Sequence, residues 1–236
     1  MNIWETVKSF LSNSVFFGVL LTLGAYMIGL WLKKKCKLAV FNPLLIAVIL
    51  VIAFLAATGI DYDSYESGAK YISYLLTPAT VCLAVPLYRQ LEALKKHYKA
   101  ILAGAISGVI TSLGSVLALS VLFRLTHEQY VTLLPKSITT AIGMDVSKEL
   151  GGIVTITVAV ILITGVLGNI LAQPLAKLFR IEEPIAKGIA IGSSSHAIGT
   201  TKALEMGEIE GAMSSLSIAV AGLLTVVLAS VFAQFL

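Results

Sequence analysis

Long apolar stretches alternate with short polar ones along this chain. Residues 10–32, 43–57, 71–87, 101–123, 153–178 and 212–236 read as membrane spans. Crossing ~30 Å of hydrocarbon takes roughly 20 apolar residues, so 43–57 is rather short. Pro78 and Pro86 predict a kink or unwound turn within 71–87. Residues 58–70, with Gly59 and Gly68, read as an acidic external loop, and 89–99 as an internal amphipathic stretch with Leu91 and Leu94 on one side.

Two polar stretches interrupt the second half, and they repeat each other. One runs from Pro135 through Lys136, Ser137, Ile138, Thr139 and Thr140 to Gly143, and on to Glu149 and Gly151. The other runs from Gly192 through Ser193, Ser194, Ser195 and His196 to Gly199, and on to Glu205 and Gly207. Laying Ser137 on Ser193, 56 positions on, also matches Ala141, Ile142, Gly143, Glu149 and Gly151 with identical residues. Corresponding interrupted segments in two repeats point to a transporter's binding site.

Basic residues choose between a crossing and a re-entrant reading of these segments. If 131–151 enters and leaves on one side, the span 153–178 carries Lys177, Arg180 and Lys187 to the inside, as the positive-inside bias requires. If 131–151 crosses, that cluster falls outside. The sequence therefore predicts two re-entrant or broken-helix hairpins, 131–151 and 185–208, entering from opposite faces. The predicted fold is an all-α integral membrane protein with about six full transmembrane helices plus these hairpins in an inverted repeat. It forms a single polytopic membrane domain over 1–236. Residues 1–125 are mainly scaffold, and 131–236 hold two inverted hairpin-plus-helix repeats that carry the site.

Composition agrees: 57 % of residues are hydrophobic and 13 % charged, too apolar for a soluble domain. The net charge of +4 is concentrated between spans, at Lys33–Lys35 with Lys37, at Arg89, Lys95, Lys96 and Lys99, and at Lys177, Arg180 and Lys187. Nucleic acid is a poor explanation of that spacing, which follows the positive-inside bias and places both termini outside the cell membrane. Residues 10–32 do not read as a cleavable signal peptide, because the apolar run is too long and no small-residue cleavage site follows it. Cys36 and Cys82 fall at different membrane depths, so no disulfide is expected.

The repeated tips carry the candidate chemistry. In each, about ten helix-forming residues follow the polar residues, a length of ~15 Å or half a membrane. Helix N-termini near the midplane attract anions, and Ser and Thr hydroxyls donate to a carboxylate or cap a helix. The candidate substrate-binding residues are Lys136, Ser137, Thr139, Thr140, Ser193, Ser194, Ser195 and His196. The candidate charge relay is His196, Asp145, Glu149, Lys202 and Glu205. His196 is the proton-responsive group because imidazole titrates near pH ~6.5. Each has a plainer reading. Hydroxyls in apolar helices mostly bond to backbone, a lone histidine is often a core residue, and Lys202 with Glu205 has the spacing of a simple helix pair. Gly104 and Gly108 have dimer-forming spacing, though packing within the chain is the plainer reading. Ser193–Ser195 beside His196 lacks triad logic, since sequence neighbours rarely take triad geometry. No catalytic residue, metal centre or cofactor is expected.

These residues resemble the LrgB/CidB family of bacterial membrane proteins, called antiholin-like proteins or autolysis modulators. The resemblance lies in Pro135–Thr140, Ser147–Gly152, Ser193–Thr200 and Gly207–Ala212, and spans nearly the whole chain. Where the family often has Pro and Ala, this chain has Ala141 and Gly143, at the turn of the first tip. The resemblance implies modulation of murein hydrolase activity and cell lysis with a small LrgA/CidA-like holin-type partner. It also implies small-carboxylate transport, because the family includes plastid glycolate/glycerate carriers and bacterial pyruvate-uptake components. The expected partners are a small carboxylate, the lipid bilayer and the holin-type protein, with homo-oligomers open. The expected function is transport of small monocarboxylates, possible coupling to protons included, with the antiholin-like role as the alternative.

The basic-loop pattern yields a direct test. A cysteine placed at residue 236 should react with a membrane-impermeant thiol reagent added outside the cell. Labelling only from the cytoplasmic side would overturn the orientation.

Overall fold

The computed structural model describes residues 3–36, 41–82, 84–89 and 91–236. Every regular element among them is helical. The chain divides into two compact units, one ending at Cys82 and one following it.

The first unit holds α1 (Ile3–Ser12), α2 (Val15–Cys36), α3 (Pro43–Thr58), α4 (Tyr62–Ser73) and α5 (Leu76–Cys82). Asn42 starts α3, its Oδ1 accepting from the Leu44 and Leu45 amides at 2.9 and 3.3 Å, with Pro43 at the first helical position. Gly59 ends α3 in the left-handed conformation, at φ 63°. Small residues set the packing. Gly29 lies against the Pro43 backbone and Gly18 against the backbone of Tyr65 and Ala69. Ala25, Ala47 and Val51 form the buried cluster between them.

Three expectations change here. The first span begins at Val15, because a turn at Asn13 separates it from α1. Residues expected as an acidic loop form α4, an amphipathic helix docked on α2 through Gly68 and a 2.8 Å bond between the Tyr65 and Thr22 hydroxyls. The third span, 71–87, is not one helix. It is divided among the end of α4, α5 and α6 (Ala84–Arg89), while residue 83 lies outside the described residues. Pro78 and Pro86 each fall in the first turn of a short helix, where a missing N–H costs nothing. Four described segments are long and apolar enough to cross a membrane: Val15–Cys36, Lys95–Leu122, Val154–Leu178 and Glu208–Phe235. The fifth apolar helix, Pro43–Thr58, has 16 residues. Cys36 and Cys82 are free and exposed.

The second unit holds α6, then α7 (Leu91–Leu122), α8 (His127–Leu133), α9 (Thr140–Glu149), α10 (Val154–Leu178), α11 (Pro184–Met206) and α12 (Glu208–Phe232). The amphipathic stretch 89–99 enters α7, which bends at His97 (φ −111°, ψ 15°); the side chains of Leu91 and Leu94 lie outside the described residues. A capping box between Thr126 and Gln129 starts α8.

α8 and α9 form a helical hairpin with its tip at 134–139. The Thr132 hydroxyl accepts from the Ile153 amide at 2.8 Å, and Thr157 Oγ1 reaches both the Thr132 carbonyl and Ser147 Oγ. Thr132 on one arm and Ser147 on the other thus stand at one level.

α11 is a second hairpin. His196 has φ 42° and ψ −145°, outside the helical region. The effect of that one residue is visible in the contacts with α12. Gly188 lies against Glu210 and Met213, while Leu204 lies against Gly211. Gly192 lies against Ser214 and Ser217, while Thr200 Oγ1 bonds Ser214 Oγ at 2.7 Å. A straight helix would hold Gly188 and Leu204 about 24 Å apart. The chain instead doubles back at His196, and both arms pack on the same stretch of α12.

Glycine makes this possible, because a side chain at 188 or 192 would meet α12 backbone. Gly192→Val should therefore cost about 1–3 kcal/mol through overpacking. Gly114, in α7, has nothing within 4 Å of a would-be Cβ, and Gly114→Ala should be neutral or stabilise by up to about 1 kcal/mol. Thermal unfolding in detergent checks the pair, and equal melting temperatures would overturn the packing argument.

Candidate functional site

α7 is the wall on which both hairpins are mounted. Gly104 faces Ile189 and Gly108 faces Ser193, so the first arm of α11 runs alongside α7 towards its middle. One turn further on, Ser112 Oγ meets Ser137 Oγ at 2.9 Å, at the tip of the α8–α9 hairpin. The small-residue stripe of α7 therefore packs within the chain. Beyond the tip, Tyr130, Val131 and Leu134 join Val109, Leu113, Val116, Ala221 and Ala233 in a buried apolar cluster.

Between these walls lies a cavity of about 850 Å³. His97, Ala100 and Glu183 line one end, Gly104 and Ala190 its flanks, and Ser112 and Lys136 the other end. Lys136 is half-buried, and its ammonium donates to Ser112 Oγ at 3.3 Å and to Ser137 Oγ at 3.1 Å. Hydroxyls hold this cation inside an otherwise mostly apolar cavity.

The expected site residues divide into three groups. Lys136, Ser137, Ser193 and Ser194 line the cavity, bringing the two tips together. Thr139, Thr140, Ser195 and His196 stand outside its lining. Thr139 takes the cap position of α9 without a side-chain cap bond, and Thr140 is the first residue of that helix. Ser195 lines a smaller neighbouring cavity beside Gly168. His196 is 2 % exposed and packs against Gly165, its Nε2–H donating to the Ile161 carbonyl at 3.0 Å.

The third group is the rest of the relay residues. Asp145 and Glu149 are exposed on α9. Lys202 and Glu205 pair at 3.1 Å and line a separate charged cavity of about 480 Å³ at the base of the second hairpin, with Lys177, Arg180 and Lys187. An exposed pair of this kind contributes about 0–1 kcal/mol. The sequence did not single out Ser112 or Thr111 as site residues. Their spacing with Gly104 and Gly108 reads as a packing stripe, and only the lysine pointing at Ser112 changes that reading.

The arrangement defines a multi-pass helical membrane protein built on paired hairpins around a polar-ended cavity. A family model described as the LrgB-like family matches residues 22–235. The antiholin-like protein LrgB of Bacillus subtilis (strain 168) is 39 % identical over 224 residues, covering 94 % of this chain and 97 % of the relative. That of Bacillus mycoides (strain KBAB4) is 38 % identical over 222 residues, covering 94 % and 96 %. No solved structure matches. The chain belongs to the LrgB-like family.

His196 holds the second tip, and its ring fills buried space that alanine would empty. His196→Ala should lower stability by about 2–4 kcal/mol, read as a fall in melting temperature in detergent. An unchanged melting temperature would remove the ring from the tip's architecture.

Proposed function

We propose that the chain moves small monocarboxylates, of the pyruvate, lactate and glycolate class, across a bacterial cell membrane through the cavity along α7. The observation that carries this reading is Lys136, held by Ser112 and Ser137 in the lining of a cavity that both tips border. One cation among hydroxyls suits one carboxylate, and partial exposure lets the anion leave again.

The element order supports an inverted repeat as the frame for this movement. α8–α9–α10 and the two arms of α11 with α12 are each a hairpin followed by a long span. The tip of α11 lies by Ile161 and Gly165 of α10, and its returning arm by Asn169, whose amide donates to the Ile198 carbonyl at 2.9 Å. α10 thus runs from tip level towards the base of that hairpin, while α12 runs from the base towards the tip. Opposed spans of this kind suit alternating access. We assign no catalytic role, and the buried His196 serves the tip's shape in this reading rather than a relay.

The relatives' names, antiholin-like protein LrgB, favour a second reading, an antiholin-like regulator; the family resemblance adds a small holin-type membrane partner to it. Those names speak for regulation and are silent on transport. The two readings differ in what they ask of the cavity. A transporter needs its hydroxyls and its lysine, whereas a regulator acting through its partner needs the partner surface.

Uptake of labelled pyruvate, lactate and glycolate into proteoliposomes, with and without the holin-type partner, tests both. Lys136→Gln should reduce uptake about ten- to hundredfold, the effect of losing a charged hydrogen-bond donor. Undiminished uptake would overturn the transport reading. If regulation is the function, a lysis phenotype should survive Ser137→Ala, Thr139→Val and Ser194→Ala and vanish with the partner.

A further inference from the structure

The charged cavity at the base of the second hairpin plays no part in the transport reading. Lys177, Arg180, Lys187 and Lys202 line it together with Glu182, Glu205 and Glu210. Lys202 and Glu205 pair with each other. Lys177, Arg180 and Lys187 make no ion pair among the described residues. Cations at the end of a membrane span are ordinary. A buried carboxylate set against them is not.

Glu210 is 8 % exposed, and its side chain folds back against Gly207. It accepts no hydrogen bond and makes no ion pair among the described residues. Glu208, exposed in the same first turn, already answers the positive end of α12. A buried carboxylate without a donor is unfavourable, and Glu210 borders the cavity. Arg180 is held there against its own backbone preference. It stands at φ 54° where α10 ends, and the Ile181 amide after it donates to the Ala176 carbonyl at 2.8 Å. Glycine fits such a turn without strain. Arginine keeps the strain and with it a charge at the cavity.

The cavity lies where an apolar span ends. Val154–Leu178 has 25 residues, about 37 Å of helix against ~30 Å of hydrocarbon. Its last turn, with Lys177, therefore stands at headgroup depth. Leu171, Leu175 and Leu178 form an exposed apolar stripe leading up to it, a surface for acyl chains. We infer that the cavity binds the headgroup of a phospholipid carrying both a phosphate and a primary ammonium, as phosphatidylethanolamine does. The phosphate lies among Arg180, Lys177 and Lys187, where a guanidinium can hold two of its oxygens. The ammonium reaches Glu210 and supplies the donor that this carboxylate lacks. A purely anionic headgroup would satisfy the cations and leave Glu210 facing a second negative charge. A choline headgroup brings positive charge without an N–H.

The full-length chain is purified in detergent micelles holding equal parts of ethanolamine, glycerol and choline phospholipids with identical acyl chains, and the lipid it retains is measured by mass spectrometry. Ethanolamine lipid should be retained about tenfold over each of the others, the effect of one charged hydrogen bond. Glu210→Gln keeps the side chain's shape and should erase the preference over glycerol lipid. Arg180→Gly should reduce retention of ethanolamine and glycerol lipids alike. It should leave the lipid-free melting temperature equal or higher, since glycine relieves the turn. A purely structural arginine would not lower one reading while sparing the other. Equal retention of the three lipids, or a preference that survives Glu210→Gln, overturns the inference. Soluble phosphoethanolamine displacing the retained lipid at equal concentration would assign the cavity to a soluble zwitterion and overturn the lipid.

Discussion

Backbone that leaves the helical path inside a membrane domain must be enclosed by protein, since lipid offers its polar groups no partner. The second unit breaks that path twice, at 134–139 and at His196, and encloses both breaks by close approach. Gly108 admits Ser193, Gly168 admits Ser195, and Gly188 and Gly192 bring an arm of α11 onto the backbone of α12. His196 in a left-handed conformation carries strain of about 1–3 kcal/mol. It stays there because its ring and its bond to Ile161 are locked among these contacts. Residues of both tips, Lys136 and Ser137 with Ser193 and Ser194, border the cavity along α7.

The site's chemistry follows from the same packing. A serine on a regular helix turns its hydrogen to the carbonyl one turn back, which satisfies it without help from the ligand. Ser193 and Ser194 lie on such an arm, whereas Ser137 lies in a turn where no such carbonyl takes its hydrogen. Two serines that look equivalent in the repeat therefore present different faces to the cavity. The repeat places the groups, and the local backbone decides whether they give or accept.

Much of this was legible in the sequence. Helical class, the apolar spans at 153–178 and 212–236, and the two polar stretches all come from periodicity and from the 56-residue shift. Lys136, Ser137, Ser193 and Ser194 could be named because charge and hydroxyls between apolar runs are costly and stand out. Where the reading failed, a local cue was stronger than hydropathy. Apolar composition hides the break at Asn13, and the acidic residues of α4 conceal a helix that docks through Gly68 and Tyr65, whereas Pro78 and Pro86 did announce an interruption of 71–87. Ser112 was invisible as a site residue because its partner is distant in sequence and its neighbours spell a packing stripe. His196 attracts attention as an ionisable group, yet its burial is set by Gly165, which no motif links to it.

The Tyr130 hydroxyl donates to the Phe232 carbonyl at 2.8 Å, across 102 positions, and the tyrosine is fully buried. This bond joins α8, the opening arm of the first hairpin, to the end of α12. Contacts so far apart in sequence form late and slowly, since a long loop must close before they contribute. A chain emerging from the ribosome thus has its first hairpin for some time without the end of α12 that closes on it. The cavity cannot take its final shape until α12 has been synthesised and inserted, so the end at Lys136 is completed only late in insertion. A nascent fragment ending before Phe232 would have Ser112 to meet Lys136 and Ser137, and would lack the bond that anchors the arm leading to them.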